Sequence, residues 1–231
     1  MATPGHGPDT IASRPNSDIS VPPLGLTGML RVPSGARGLV VFAHGSGSSR
    51  LSPRNRVVAH ALNESGFATL LFDLLTPAEE GDRRNVFDIP LLADRLIDAV
   101  RWTRSHPQLS KLPLGLFGAS TGAAAALVAA AQLADDVGAV VSRGGRPDLA
   151  GKALEAVTSP TLLIVGGDDD VVLQLNEAAL VKLKAPKALR VVPGATHLFP
   201  EPGALEAVMQ YAAEWFSLHL GRDGEKRSET R

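Results

Sequence analysis

The stretch PLGLFGASTGAAAALVAAA, Pro113 to Ala131, decides how the rest of the chain is read. A short apolar run ends at Gly118, an alanine-rich run follows Gly122, and a single hydroxyl, Ser120, stands at the junction. Continuous apolar residues without alternation predict a strand covered on both faces, Leu112 to Gly118. The alanine run predicts a helix, Thr121 to Leu133, apolar nearly all round and lying against the sheet. Between them Gly118-Ala119-Ser120-Thr121-Gly122 reads G-x-S-x-G. Small flanking residues let the chain turn sharply from strand to helix and expose the serine Oγ. A serine that merely caps the helix would occupy the same junction, so the pentapeptide needs support from the remaining chain.

The same alternation continues outward. Apolar β-favouring runs lie at Gly38–His44, Phe67–Leu74, Gly138–Arg143, Pro160–Gly167 and Leu189–Gly194. Helical patterns fill the gaps at Pro53–Ser65, Pro90–Ser105, Asp148–Val157, Leu173–Lys184 and Gly203–Leu220. This order predicts an α/β fold, a mostly parallel twisted sheet with helices on both faces and no large cap domain. A weakly alternating stretch within Leu24–Pro33 predicts an added antiparallel edge strand. Residues 1–22, rich in Pro, Gly, Ser and Asp, and residues 221–231 are expected as polar tails around a single domain at 23–220.

The 23 basic and 24 acidic residues leave a formal charge of −1. With no basic stripe there is no electrostatic footprint for nucleic acid. No uncharged stretch approaches the roughly 18 residues of a membrane span, and the first residues lack the apolar core of a signal peptide. The expectation is a soluble, cytoplasmic protein with no membrane partner. The absence of cysteine excludes disulfides, thiolate metal sites and a cysteine nucleophile. No cluster of His, Asp and Glu has metal-ligand spacing, so neither a metal nor an organic cofactor is expected. Assembly as a homo-oligomer is left open.

A serine hydroxyl is a poor nucleophile until a base removes its proton. His197 and His219 are the histidines that follow Ser120. His197 lies in the loop VVPGATHLF after a strand, whereas His219 ends a helix, which makes His197 the better base. A carboxylate must then hold the imidazole tautomer, and LLIVGGDDDVV offers Asp168, Asp169 and Asp170 after a strand. Spacing alone does not choose among them. Charge developing on a carbonyl oxygen needs fixed backbone donors; the amide of Thr121 at the helix start and that of Ser46 in the turn His44-Gly45-Ser46-Gly47 are the candidates. That glycine-rich turn lacks the G-x-G-x-x-G and P-loop lysine patterns of nucleotide sites.

Taken in chain order, these features resemble the α/β-hydrolase superfamily, in particular its small lid-less esterases and dienelactone-hydrolase-like members. The resemblance spans about Gly38 to Leu220. It implies the order Ser, Asp, His, with the acid in a G-x-x-D turn that maps to Gly166 and Asp169, and a structural role for His44 in orienting the oxyanion turn. Two departures matter. Dienelactone hydrolases use a cysteine nucleophile where this chain has Ser120, and the short connection after GAVVSR leaves no room for the helical cap of many lipases.

The expected function is therefore a cofactor-independent serine hydrolase cleaving a small-molecule carboxylic ester through an acyl-enzyme. Ser120, His197 and Asp169 form the triad, and the Ser46 and Thr121 amides form the oxyanion hole. A lactone or dienelactone-like substrate, or transfer of the acyl group to peroxide or an alcohol, would use the same machinery. A catalytically silent binding protein of the same fold is the alternative from another class. Arg143 and Arg146 flank Gly144-Gly145 just beyond a strand end and could fork a substrate carboxylate, unless one of them pairs with Asp148.

Overall fold

The computed structural model of the chain describes residues 17–221. Within them eight strands form one sheet in the order β1-β2-β4-β3-β5-β6-β7-β8. The strands are β1 (Ser17–Val21), β2 (Leu26–Arg31), β3 (Gly38–Ala43), β4 (Phe67–Phe72), β5 (Leu114–Ala119), β6 (Ala139–Arg143), β7 (Thr161–Gly166) and β8 (Lys187–Val192). β1 and β2 run antiparallel, β2 runs antiparallel to β4, and all later pairings are parallel. The helices are α1 (Pro53–Glu64), α2 (Pro77–Glu80), α3 (Arg83–Val86), α4 (Ile89–Ser105), α5 (Thr121–Leu133), α6 (Asp170–Lys182) and α7 (Ala204–Leu220).

The sheet is apolar on both faces because its interior parallel strands are buried along their whole length, as β3, β4, β5 and β7 are, whereas the edge strand β8 buries only Val192. Successive side chains point to opposite faces and so enter two separate cores. Leu39, Val41, Leu116 and Val140 meet α4, α5 and α6 on one side. Val40, Phe42, Phe117 and Val141 meet α1 and α7 on the other. α5 is enclosed nearly all round, as its alanine run requires. No helix among the described residues is long and apolar enough to cross a membrane.

Three local differences from the sequence reading have physical causes. Residues 17–21, assigned to the N-terminal tail, form the edge strand β1. Its i-e-i-e-B burial leaves Val21 as its one fully buried position, so its apolar signal is weak. The strand within Leu24–Pro33 is β2, which is accordingly interior to the sheet. Residues 148–157, expected as an α-helix, form a 3-10 segment over Pro147–Ala156 that breaks at Gly151, where φ is +55°. The remaining part of the 1–22 tail, residues 1–16, and residues 222–231 of the C-terminal tail lie outside the described residues.

Candidate active site

The chain passes from β3 to β4 on one side, then crosses back past β3 to β5 on the other. This reversal opens a crevice at the carboxyl ends of β3 and β5, the place where open α/β sheets bind ligands. The turn after β3 carries His44 to Ser49, and the turn after β5 carries Ser120.

Ser120 adopts φ +51° and ψ −121°, a positive-φ backbone that costs a residue with a Cβ about 1–3 kcal/mol. Three backbone bonds hold it there. Its amide donates to the Arg143 carbonyl at 3.2 Å, and its own carbonyl accepts from the amides of Ala123 and Arg146, both at 3.1 Å. The Ser120 side chain makes no capping bond to α5, so the simpler explanation for a serine at this junction fails. The turn closes because Gly118 and Gly122 lack side chains. A Cβ on Gly118 would overlap the Ala123 backbone, and one on Gly122 the carbonyl oxygens of Ala43 and His44.

Thr121 is the first residue of α5, so its amide has no acceptor within the helix and sits at the positive end of the helix dipole. Its hydroxyl accepts a 2.9 Å hydrogen bond from the Ser46 amide, which ties the β3 turn to the start of α5. His44 supports the same turn from beneath. Its Nε2 accepts from the Leu74 amide at 3.1 Å, so the proton resides on Nδ1, which donates to the Gly45 carbonyl at 3.1 Å. Burial holds its pKa below the usual 6.5, outweighing the opposing pull of the Gly45 carbonyl, Asp73 and Glu80.

The three candidate acids separate cleanly. Asp169 places Oδ2 2.7 Å from His197 Nδ1. Because a carboxylate only accepts, Nδ1 carries the hydrogen and Nε2 keeps its lone pair. Asp168 and Asp170 face solvent, the latter in the first turn of α6. His197 follows β8 in a loop anchored by Phe199, which is buried at φ +55°. His219 lies on α7, with its ring 4.3 Å from that of Trp215.

Ser120 and His197 line one cleft of about 560 Å³ together with the turn Gly45–Ser49, Arg54 and Arg143. The expected fork of Arg143 and Arg146 is not formed. Arg146 grips Asp148 with two hydrogen bonds of 2.8 Å, a planar match of guanidinium to carboxylate. Arg143, in register beside Ala119, is only 7% exposed. Its Nε and Nη1 have no hydrogen-bond partner among the described residues. Burial, and after it the charge of Arg54, push its pKa down to about 10, so it remains a cation at neutral pH. Arg54 escaped the sequence reading because nothing in the helix start SPRNR connects it to Ser120; only the tertiary fold brings α1 to this crevice. Among the described residues no group of three or more His, Asp and Glu side chains could hold a metal ion.

A family model described as an alpha/beta hydrolase domain matches residues 36–210. The chain belongs to the alpha/beta hydrolase family. Among solved structures, a dienelactone hydrolase from Anabaena variabilis is 56% identical, with a TM-score of 0.86 over 89% of this chain and 97% of that one. A lid-less serine hydrolase from Xanthomonas campestris shares the fold at 21% identity, with a TM-score of 0.71 over 93% of this chain and 98% of its own. Proteins from two strains of Mycobacterium tuberculosis, provisionally named phosphoribosyl transferases, are 62% identical over 86% of this chain and 45% of theirs. The chain thus spans about half the length of those curated relatives.

Proposed function

We propose that this alpha/beta hydrolase is a serine esterase acting on small carboxylic esters through an acyl-enzyme. The observation that carries the reading is the 2.7 Å bond between Asp169 and His197 Nδ1, with His197 and the strained Ser120 on the same cleft wall. That bond leaves Nε2 as the base. Ser120 Oγ gives its proton to Nε2 and bonds to the ester carbonyl carbon; as the C–O bond breaks, His197 returns the proton to the departing alcohol. Water then repeats the cycle, its proton going to His197, its oxygen to the acyl carbon, and Ser120 being released as the free hydroxyl. The oxyanion is held by the amide of Thr121 and by that of Ser46, which exchanges its Thr121 hydroxyl partner for the substrate oxygen.

A lactone is the second substrate form, favoured by the 56% identity with the Anabaena dienelactone hydrolase; ring opening uses the same steps, with the alcohol remaining attached to the acyl group. The transferase name belongs to proteins about twice as long as the matched region, so that name need not describe the part this chain matches. Reaction with a fluorophosphonate probe tests the mechanism. The expected result is stoichiometric labelling, mapped by peptide mass spectrometry to Ser120 and absent in Ser120→Ala. Labelling elsewhere, or none on folded protein, overturns it.

A further inference from the structure

Three acidic side chains around the crevice are already partnered. Asp169 is held by His197, Asp148 by Arg146, and Asp73 by the backbone and guanidinium of Arg50. Among the described residues, the cleft beside Ser120 is lined by Arg54 and Arg143 and by no Asp or Glu. Among the described residues both arginines have an Nε without a hydrogen-bond partner, and Arg143 an unpartnered Nη1 as well. A guanidinium as deeply buried as Arg143 is costly to leave unpaired, and a second cation beside it adds repulsion. Among the described residues no acidic side chain lines this cleft to offset either charge.

The surroundings favour the same sign of ligand. Arg54 is the second residue of α1, whose N-terminus, capped by Ser52, opens onto this cleft. Pro53 has no amide hydrogen there and Ser52 occupies that of Asn55, so it is the helix dipole that draws an anion to this end. Ser48 and Ser49 add hydroxyl donors along the turn. We propose that Arg54 and Arg143 form a subsite for a phosphate dianion carried by the ester substrate. Two cations with no acidic counterpart match a doubly charged group. A carboxylate would neutralise only one of them, and a phosphate monoester is close to dianionic at neutral pH. The position beside Ser120 puts the phosphate on the acyl or alcohol part within a few bonds of the scissile carbonyl.

This proposal rests on the esterase reading for its use of the substrate, yet binding tests it separately. Three esters of one skeleton, bearing a hydroxyl, a carboxylate or a phosphate monoester at the same carbon, would be compared by KM and kcat on the full chain. The phosphorylated ester should show a KM lower than the hydroxyl ester on the order of 10- to 100-fold, the worth of one or two charge-assisted hydrogen bonds. Inorganic phosphate should compete with the neutral ester. Arg54→Gln, on the partly exposed start of α1, should erase most of the KM ratio, and Arg143→Gln should do the same where it folds. Equal KM values for the phosphate and hydroxyl esters, or preference for the carboxylate, overturn the dianion subsite while leaving a working esterase. If no ester turns over and Ser120 stays unlabelled, the esterase reading fails instead. Calorimetry with inorganic phosphate then decides the subsite alone: heat lost in Arg54→Gln supports it, and no heat with the unaltered chain overturns it.

Discussion

At Asp169 a single step in register separates a carboxylate on His197 from two that face solvent. Asp169→Asn is expected to lower kcat on the order of 10³- to 10⁴-fold, because an amide stabilises neither the Nδ1–H tautomer nor the imidazolium. Asp168→Asn and Asp170→Asn should stay within a few-fold, which steady-state kinetics on any accepted ester would read. Ser120→Ala should cost on the order of 10⁴-fold or more while retaining the unaltered thermal transition. The three consecutive acids defeated spacing alone, since each follows the same strand, and only the family's G-x-x-D register selected Asp169. Arg54 and Arg143 mark the other limit of a linear reading. Arg143 stood out because it ends a strand; Arg54, on a helix face like any other surface arginine, did not. Its significance comes from a neighbour 89 residues away in the chain, beyond the reach of any local pattern.

At the scale of elements, the alternation of apolar runs and helical patterns was enough to read the sheet and both helical layers, because burial on both faces writes itself into composition. Thr121–Leu133 was legible to the residue, as the alanine-rich run begins just after the elbow and the helix ends two residues beyond it. Elements that bury little were not. β1 alternates over only five residues, and α2 has no buried side chain at all. α2 did carry a signal that went unused: Thr76 and Glu79 form a capping box around Pro77, the T-x-x-E signature of a helix start. The joint between β5, α5 and β3 is closely packed. Gly122→Ala would drive a methyl into the Ala43 and His44 carbonyls. It should destabilise the fold by about 1–3 kcal/mol or more, seen as a lower denaturant midpoint, and should disturb the turn that carries Ser46. An unchanged midpoint would show that α5 can slide on the sheet without penalty.

For the whole molecule, pH acts through His44, which lies buried and neutral where the two central strands end. Its folded pKa is below 6.5, so between that lowered value and 6.5 the unfolded chain binds more protons than the folded one. The stabilisation is complete above about 6.5 and is lost as pH falls toward the folded pKa. Urea unfolding between about pH 5 and pH 8 should show midpoints that fall on the acid side, with a shallower fall in His44→Gln. Identical slopes in the two proteins would assign the acid loss to other groups. The backbone bonds around Ser120 bear on how such a hydrolase changes its diet. Because the Ser120 amide and carbonyl are fastened to Arg143 and Arg146, remodelling that loop for a new substrate also moves Ser120, the proposed nucleophile. Arg54, on a separate helix, carries no such liability. Divergence among descendants of this scaffold should therefore begin on α1, where a new side chain alters what is admitted without touching how it is cut.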